Sequence, residues 1–90
     1  MKIAKHEYEE IKKGIEAKGI GTVKTYKEHL KKAQANKSTV ISDFDTRFIF
    51  GVYYGCVPLA TRMAISNNDE YKDTHIKTAT KKALKELGLL

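Results

Sequence analysis

Few residues in this chain are of types that bind metals or act as nucleophiles. The candidates are three histidines and one cysteine: His6, His29, Cys56 and His75. Neighbours in this set lie 19 to 27 residues apart, so the short ligand pair that typifies zinc sites is missing. Cys56 lies in an apolar stretch without an adjacent cation that would favour its thiolate. We therefore interpret it as a buried thiol, and we expect no metal and no cofactor.

The acidic residues and glycines do not form a catalytic motif either. Asp43 and Asp45 are separated by one residue, which on a helix points their carboxylates in different directions, so capping explains them better than paired acid–base chemistry. Gly19-Ile20-Gly21 is not a nucleotide-binding loop, because no strand precedes it and the lysine–serine ending is missing. The segment at 66–70 lacks the spaced acids of a calcium loop. We predict that the protein is not an enzyme.

The distribution of charge favours a binding function. The net charge is +6, with +5 in residues 1–39, −2 in residues 40–73 and +3 in residues 74–90. Basic ends of this kind favour contact with nucleic acid or another anionic surface. Only two of the 17 basic residues are arginine, whose planar side chain is the one best suited to specific base recognition. Lysines solvate a surface as readily as they bind phosphate, so a merely soluble surface remains the alternative.

Length and composition suit one domain over residues 1–90, since 41% apolar residues can form one modest core. The longest apolar run, 48–57, is about half the roughly 20 residues that span a bilayer. The N-terminus lacks the apolar segment of a secretory signal, and a single cysteine suits a reducing compartment. We expect a cytoplasmic protein that does not enter a membrane.

Apolar periodicity predicts an all-α fold, a compact bundle of four to five short helices with a central apolar helix. The predicted helices span about 4–18, 26–35, 44–57, 59–65 and 74–87. Thr25 and Ser42 each begin a capping-box pattern that would start a helix. Gly19 and Gly88 are expected to end the first and last helices.

The segment 47–57 is the ambiguous part of this fold. Phe48, Val52 and Cys56 recur at steps of four, which predicts the central helix. The same segment is rich in aromatic and β-branched residues, so a short β-hairpin is the alternative. Gly51 and Gly55 weaken both interpretations, although they would allow a neighbouring helix to approach closely.

Residues 26–44 partly resemble the helix-turn-helix segment of repressors. When Val40 is aligned with the buried residue of the recognition helix, Ala33 and Ala35 fit apolar positions, whereas Asp43 occupies a late core position unsuited to a carboxylate. The resemblance implies groove-facing residues and backbone contacts. The groove-facing residues would be Lys37, Ser38 and Thr39, and the backbone contacts Lys24, Lys27, Lys31 and Arg47.

The closing segment "NDEYKDTHIKTATKKALKELG", together with "FDTRF" upstream, resembles small uncharacterised accessory proteins of tailed phages. This resemblance covers about the C-terminal half of the chain and includes no catalytic motif. It implies a protein of viral or mobile-element origin that would act in the host cytoplasm by docking on a host complex, including as an inhibitor of a defence system such as CRISPR.

Two hypotheses follow. The first is a non-enzymatic inhibitor that docks on a host protein or nucleoprotein complex with an acidic or nucleic-acid-bearing surface. Its candidate surfaces are the rows Lys24, Lys27, Lys31 and Lys77, Lys81, Lys85. The second is a helix-turn-helix transcriptional regulator that binds nucleic acid directly. The apolar middle of the chain would also allow a homodimer.

Overall fold

A computed structural model describes residues 2–35 and 43–90, and these ranges contain five helices and no strand. The helices are α1 (Lys5–Lys18), α2 (Ile20–Ala35), α3 (Phe44–Cys56), α4 (Leu59–Ser66) and α5 (Asp73–Glu86). The predicted all-α bundle of short helices is therefore confirmed, and the β-hairpin alternative at 47–57 is wrong.

Helix α1 packs against each of the other four helices. Its apolar side faces the core, where Tyr8, Ile11 and Ile15 are buried. Gly14 lies on the same side, so close to the end of α3 that an added Cβ would be 2.7 Å from the carbonyl oxygen of Cys56. Small size at this position therefore lets the two helices approach.

Helix α2 begins at Ile20 rather than at Tyr26, so the predicted cap at Thr25 is wrong. Gly19, with φ of +92°, separates α1 from α2. Val23 is buried, and together with Tyr26 and Leu30 it extends the apolar stripe one turn earlier. Burial of Val23 favours helix through Thr25, whose hydroxyl donates to the carbonyl oxygen of Gly21 (2.9 Å) instead of capping.

Helix α3 begins directly after Asp43, for which a capping role was favoured from the sequence. Asp43 is the N-cap residue, and its carboxylate accepts a hydrogen bond from the backbone N–H of Thr46 (3.1 Å). The predicted cap, Ser42, lies outside the described residues. A carboxylate at this position also interacts favourably with the positive end of the helix dipole.

Helix α3 packs against α1, α2 and α5, as a central helix should. Its four fully buried residues are Phe48, Ile49, Val52 and Tyr53. One side of the helix nevertheless remains open, where Phe50 is half-buried and Tyr54 is exposed. The apolar sequence predicted coverage on nearly every side, which the packing does not provide.

The close approach predicted at the α3 glycines occurs at Gly51 and not at Gly55. The ring of Tyr26 from α2 occupies the space beside Gly51, so that any Cβ there would overlap the Tyr26 hydroxyl. That ring also stacks on Phe48, with 5.9 Å between centroids. Gly55 has no neighbouring atom within 4 Å of an added Cβ.

Helices α4 and α5 complete the bundle. Pro58 is the N-cap residue of α4 and separates this helix from α3, since proline lacks the backbone N–H that would continue the helix. Helix α5 begins at Asp73 instead of Thr74, because Lys72 is the N-cap residue and its backbone N–H donates to Nδ1 of His75 (3.0 Å). Gly88, with φ of +74°, follows the helix as expected.

The turn between α4 and α5 is held against the start of α1. The Tyr71 hydroxyl donates to Oε1 of Glu7 (2.7 Å) and accepts from the backbone N–H of Ala4 (3.2 Å). This long-range link fixes the direction from which the chain enters α5.

In the described ranges, no single helix is long and apolar enough to cross a membrane. Helices α3 and α4 taken together meet the length and composition criteria, but they are bent by 118° relative to each other.

Candidate functional site

Four lysines lie along the outer side of α5. They line a shallow depression of about 520 Å³, whose lining residues in the described ranges all belong to α5: Thr74, Lys77, Thr78, Lys81, Lys82 and Lys85. We refer to its four lysines, Lys77, Lys81, Lys82 and Lys85, as the lysine face. Ammonium groups brought together in this way raise the local positive potential and attract anionic groups.

The core determines which way the lysine face points. On α5, Ala79, Thr80, Ala83 and Leu84 are buried, and they occupy the side of the helix opposite the lysines. The helical period of 3.6 residues therefore turns the lysines outward once the apolar stripe is packed. Because α5 packs against both α1 and α3, its rotation about its own axis is restricted.

One end of the lysine face is joined to the start of α3. The ammonium group of Lys77 donates a hydrogen bond to the Thr46 hydroxyl. That hydroxyl in turn donates to Oδ2 of Asp43 (2.7 Å). The hydrogen bonds from the Thr46 hydroxyl and backbone N–H lower the pKa of Asp43, and the charge of Lys77 contributes in the same direction. The half-buried Lys77 is thus held in position.

The other end of the lysine face reaches α1 through Lys82, which was not among the residues predicted from the sequence. Its ammonium group lies 5.1 Å from the ring centroid of Tyr8, in a cation–π contact. Burial raises the pKa of Tyr8 to about 12, so this ring stays uncharged at neutral pH. The signal available in the sequence was the Lys81-Lys82 pair, since both residues are too polar for the buried stripe.

Glu86, the acidic residue at this end of α5, forms a salt bridge with α1. Oε2 of Glu86 lies 3.0 Å from the Lys12 ammonium, and this contact with α1 lowers the pKa of Glu86. In the ranges that the structure describes, the lysines of the face form no salt bridge. Lys77 and Lys82 still interact at longer range with Asp43 and Glu86, so the charge of the face is only partly offset within the described part of the chain.

The lysine row on α2 forms a separate surface. Lys24 and Lys31 are exposed, whereas Lys27 is half-buried with its ammonium 5.5 Å from the centroid of the Phe48 ring. Helix α2 packs against α1 and α3, and none of its residues lines the depression on α5. The two predicted lysine rows therefore belong to different surfaces, and the row on α5 lines a depression.

The remaining predicted contacts belong to the helix-turn-helix alignment. Arg47 is exposed on α3, while Lys37, Ser38 and Thr39 lie outside the described residues. Asp43 has extended backbone angles, with φ of −142° and ψ of 93°. These angles do not fit the mid-helix position that the alignment assigns to Asp43.

No protein-family model matches the chain, and no curated protein or solved structure is significantly similar to it. The site must therefore be interpreted from its own geometry.

The metal-ligating residue types are dispersed in the described ranges. Among residues 2–35 and 43–90, no three histidine, cysteine, aspartate or glutamate side chains are placed to hold a metal ion. Cys56 is half-buried, and burial raises the pKa of its thiol, which disfavours the nucleophilic thiolate.

Proposed function

We propose that the protein is a small non-enzymatic inhibitor, encoded by a phage or another mobile element, that docks on a host nucleoprotein complex. The observation that carries this proposal is the lysine face of α5, where four cations line one depression and form no salt bridge with residues 2–35 or 43–90. The resemblance of the C-terminal half to tailed-phage accessory proteins supports the viral origin.

The partner is expected to present phosphates or clustered carboxylates to the lysine face. Lysine ammonium groups are compact charges that attract anions with little demand on geometry, in contrast to the planar fork of arginine. Such a face favours rapid electrostatic association and recognition of a charged surface, rather than readout of individual bases. Occupying a nucleic-acid-bearing surface in this way would block the complex from its own substrate.

The alternative, a helix-turn-helix regulator, has less support. It requires a recognition helix passing through Asp43, where the backbone is extended. A regulator would bind one duplex sequence in preference to others, and replacing Lys37, Ser38 and Thr39 with alanine would abolish that preference.

The test compares two variants of equal net charge. The first reverses the face with Lys77→Glu, Lys81→Glu and Lys85→Glu, and the control carries Lys2→Glu, Lys5→Glu and Lys32→Glu at exposed positions outside it. Tagged proteins are used to purify partners from nuclease-treated host lysate, and the activity of the recovered complex is assayed with and without added protein.

We expect the wild-type protein and the control to retain one stoichiometric complex and inhibit it, and the face variant to do neither. Equal loss in both variants would contradict the assignment to α5, because net charge alone would then explain binding. Recovery of nothing but bulk nucleic acid from untreated lysate would contradict the inhibitor proposal.

A further inference from the structure

A second surface of the molecule exposes large apolar side chains where α3 and α4 meet. Tyr54 is 59% exposed, Leu59 60% and Met63 55%, and these are three of the five large hydrophobic residues exposed in the described ranges. The half-buried Phe50 adjoins them, since its ring stacks on Tyr54 with 6.3 Å between centroids. We refer to Phe50, Tyr54, Leu59 and Met63 as the α3–α4 face.

Contacts within the chain hold this face in one arrangement. The Tyr54 ring also packs edge-on against Tyr53, at 5.3 Å between centroids. The Arg62 guanidinium lies 5.6 Å from the Tyr54 ring, while Nε of Arg62 donates to the carbonyl oxygen of Val57 (3.1 Å). Side chains that are already ordered lose little entropy on binding, and tyrosine, methionine and arginine are enriched in protein–protein interfaces.

Charges of both signs border the face. A depression of about 310 Å³ beside it is lined by Arg62 and Asp73, together with apolar side chains that include Leu59, Met63 and Ile76. Within the described ranges, neither Arg62 nor Asp73 forms a salt bridge with another residue. A surface that carries both an arginine and an aspartate beside apolar side chains can form two opposite-charge pairs with a copy of itself across a two-fold axis.

The distribution of net charge is compatible with a second copy as the occupant, because the basic ends of the chain lie outside the face. Two chains of charge +6 repel each other, but the excess lies in residues 1–39 and 74–90. The α3–α4 face belongs to residues 40–73, whose net charge is −2. Two copies that meet through this segment keep most of their positive charge outside the contact, where salt screens it.

We propose that the protein forms a two-fold symmetric homodimer through the α3–α4 face, with Arg62 of each copy paired with Asp73 of the other. A two-fold axis places the same patch of both copies in contact, so each Arg62–Asp73 pair occurs twice. This inference is independent of the proposed function. A dimer would present two lysine faces to one partner, which raises avidity without new contacts at either face.

The charge pairing is tested by exchanging the two charges. The Arg62→Asp variant and the Asp73→Arg variant each place like charges at both contacts. We expect each to dimerise at least about tenfold more weakly than the wild type in sedimentation equilibrium. Mixing the two variants restores opposite charges at both contacts, so we expect a heterodimer, detected by energy transfer between two fluorescent labels. The chain that carries both substitutions should also dimerise.

A second pair of variants tests the apolar centre. Met63→Glu introduces a charge on the face, and Ile20→Glu introduces the same charge at an exposed hydrophobic residue outside it. We expect Met63→Glu to be a monomer of 10.2 kDa and Ile20→Glu to retain twice that mass, both with wild-type helical circular dichroism. A monomeric wild-type protein up to high micromolar concentration would overturn the proposal. A dimer that withstands Met63→Glu, or single charge variants whose mixture stays monomeric, would overturn it equally.

Discussion

The lysine face and the α3–α4 face are both exposed, but they differ in the physical reason for their exposure. The lysine face of α5 lies opposite a buried apolar stripe, where any amphipathic helix places its polar residues. The α3–α4 face instead leaves Tyr54, Leu59 and Met63 in solvent, although burying such side chains would be favourable. Charged residues on the solvent side of a helix are thus an ordinary result of folding. A cluster of exposed apolar side chains, in contrast, needs a separate explanation. The lysine face therefore becomes informative only when a binding function is considered. The α3–α4 face instead suggests association with another chain.

The largest predicted effect is a loss of stability, which is expected at one of two leucines when both are replaced by alanine. Leu84 is fully buried beneath the lysine face, whereas Leu59 is exposed on the α3–α4 face. We expect Leu84→Ala to lower the free energy of unfolding by about 2–5 kcal/mol, because it leaves a cavity in the core. Leu59→Ala should change the stability of the monomer by less than about 0.5 kcal/mol. Urea denaturation at low protein concentration measures both. Similar losses for the two variants would show that Leu59 is packed within its own chain.

A stability change of intermediate size is expected for alanine substitutions at two glycines of α3. Gly51→Ala brings a methyl group into the position of the Tyr26 ring, so we expect a loss of about 1–3 kcal/mol. Gly55 has open space around it, and Gly55→Ala should stabilise α3 by about 0.5–1 kcal/mol through helix propensity. Thermal unfolding of the two variants checks the difference in sign. Destabilisation by Gly55→Ala would mean that this side of α3 is covered.

The smallest predicted effect concerns the lysine face itself. Lys81 lies four residues from both Lys77 and Lys85, and each like-charge pair at this spacing costs about 0.2–0.5 kcal/mol. We therefore expect Lys81→Gln to raise stability slightly at low salt and to have no effect at high salt. Lys13→Gln is the matched control on α1, where Glu9 and Glu16 are neighbours of opposite charge, and it should lower stability slightly. A loss of stability in Lys81→Gln would indicate that this lysine contributes to the fold.

Local signals predicted most of the helices but not the start of α2. The alternation of apolar residues indicated α1, α4 and α5 to within a residue or so, because helical periodicity is a property of a short segment. The Thr25 capping pattern was misleading, since burial of Val23 against the core outweighed it. The start of α3 was also hard to place from the sequence. Several adjacent polar residues could have capped this helix, and the backbone geometry selects Asp43.

The candidate sites were predicted in the same uneven way. Lys77, Lys81 and Lys85 were selected from their spacing, and they line one depression. Lys82 lines the same depression but was missed. Its cation–π contact with Tyr8 joins distant parts of the chain and could not be predicted from local sequence. The α3–α4 face was not predicted. Its residues belong to an apolar run that, taken as sequence, indicates a buried helix.

By itself, the sequence determined that the chain is helical, where α1 and α5 end at glycines, and which residues share the polar side of α5. These features depend on interactions within one or two helical turns. Only the tertiary structure decided that Tyr26 fills the space beside Gly51, that the two lysine rows are separate, and that one side of α3 stays open. Each of these depends on where other helices lie, because apolar residues on a helix are buried only if a neighbouring element covers them.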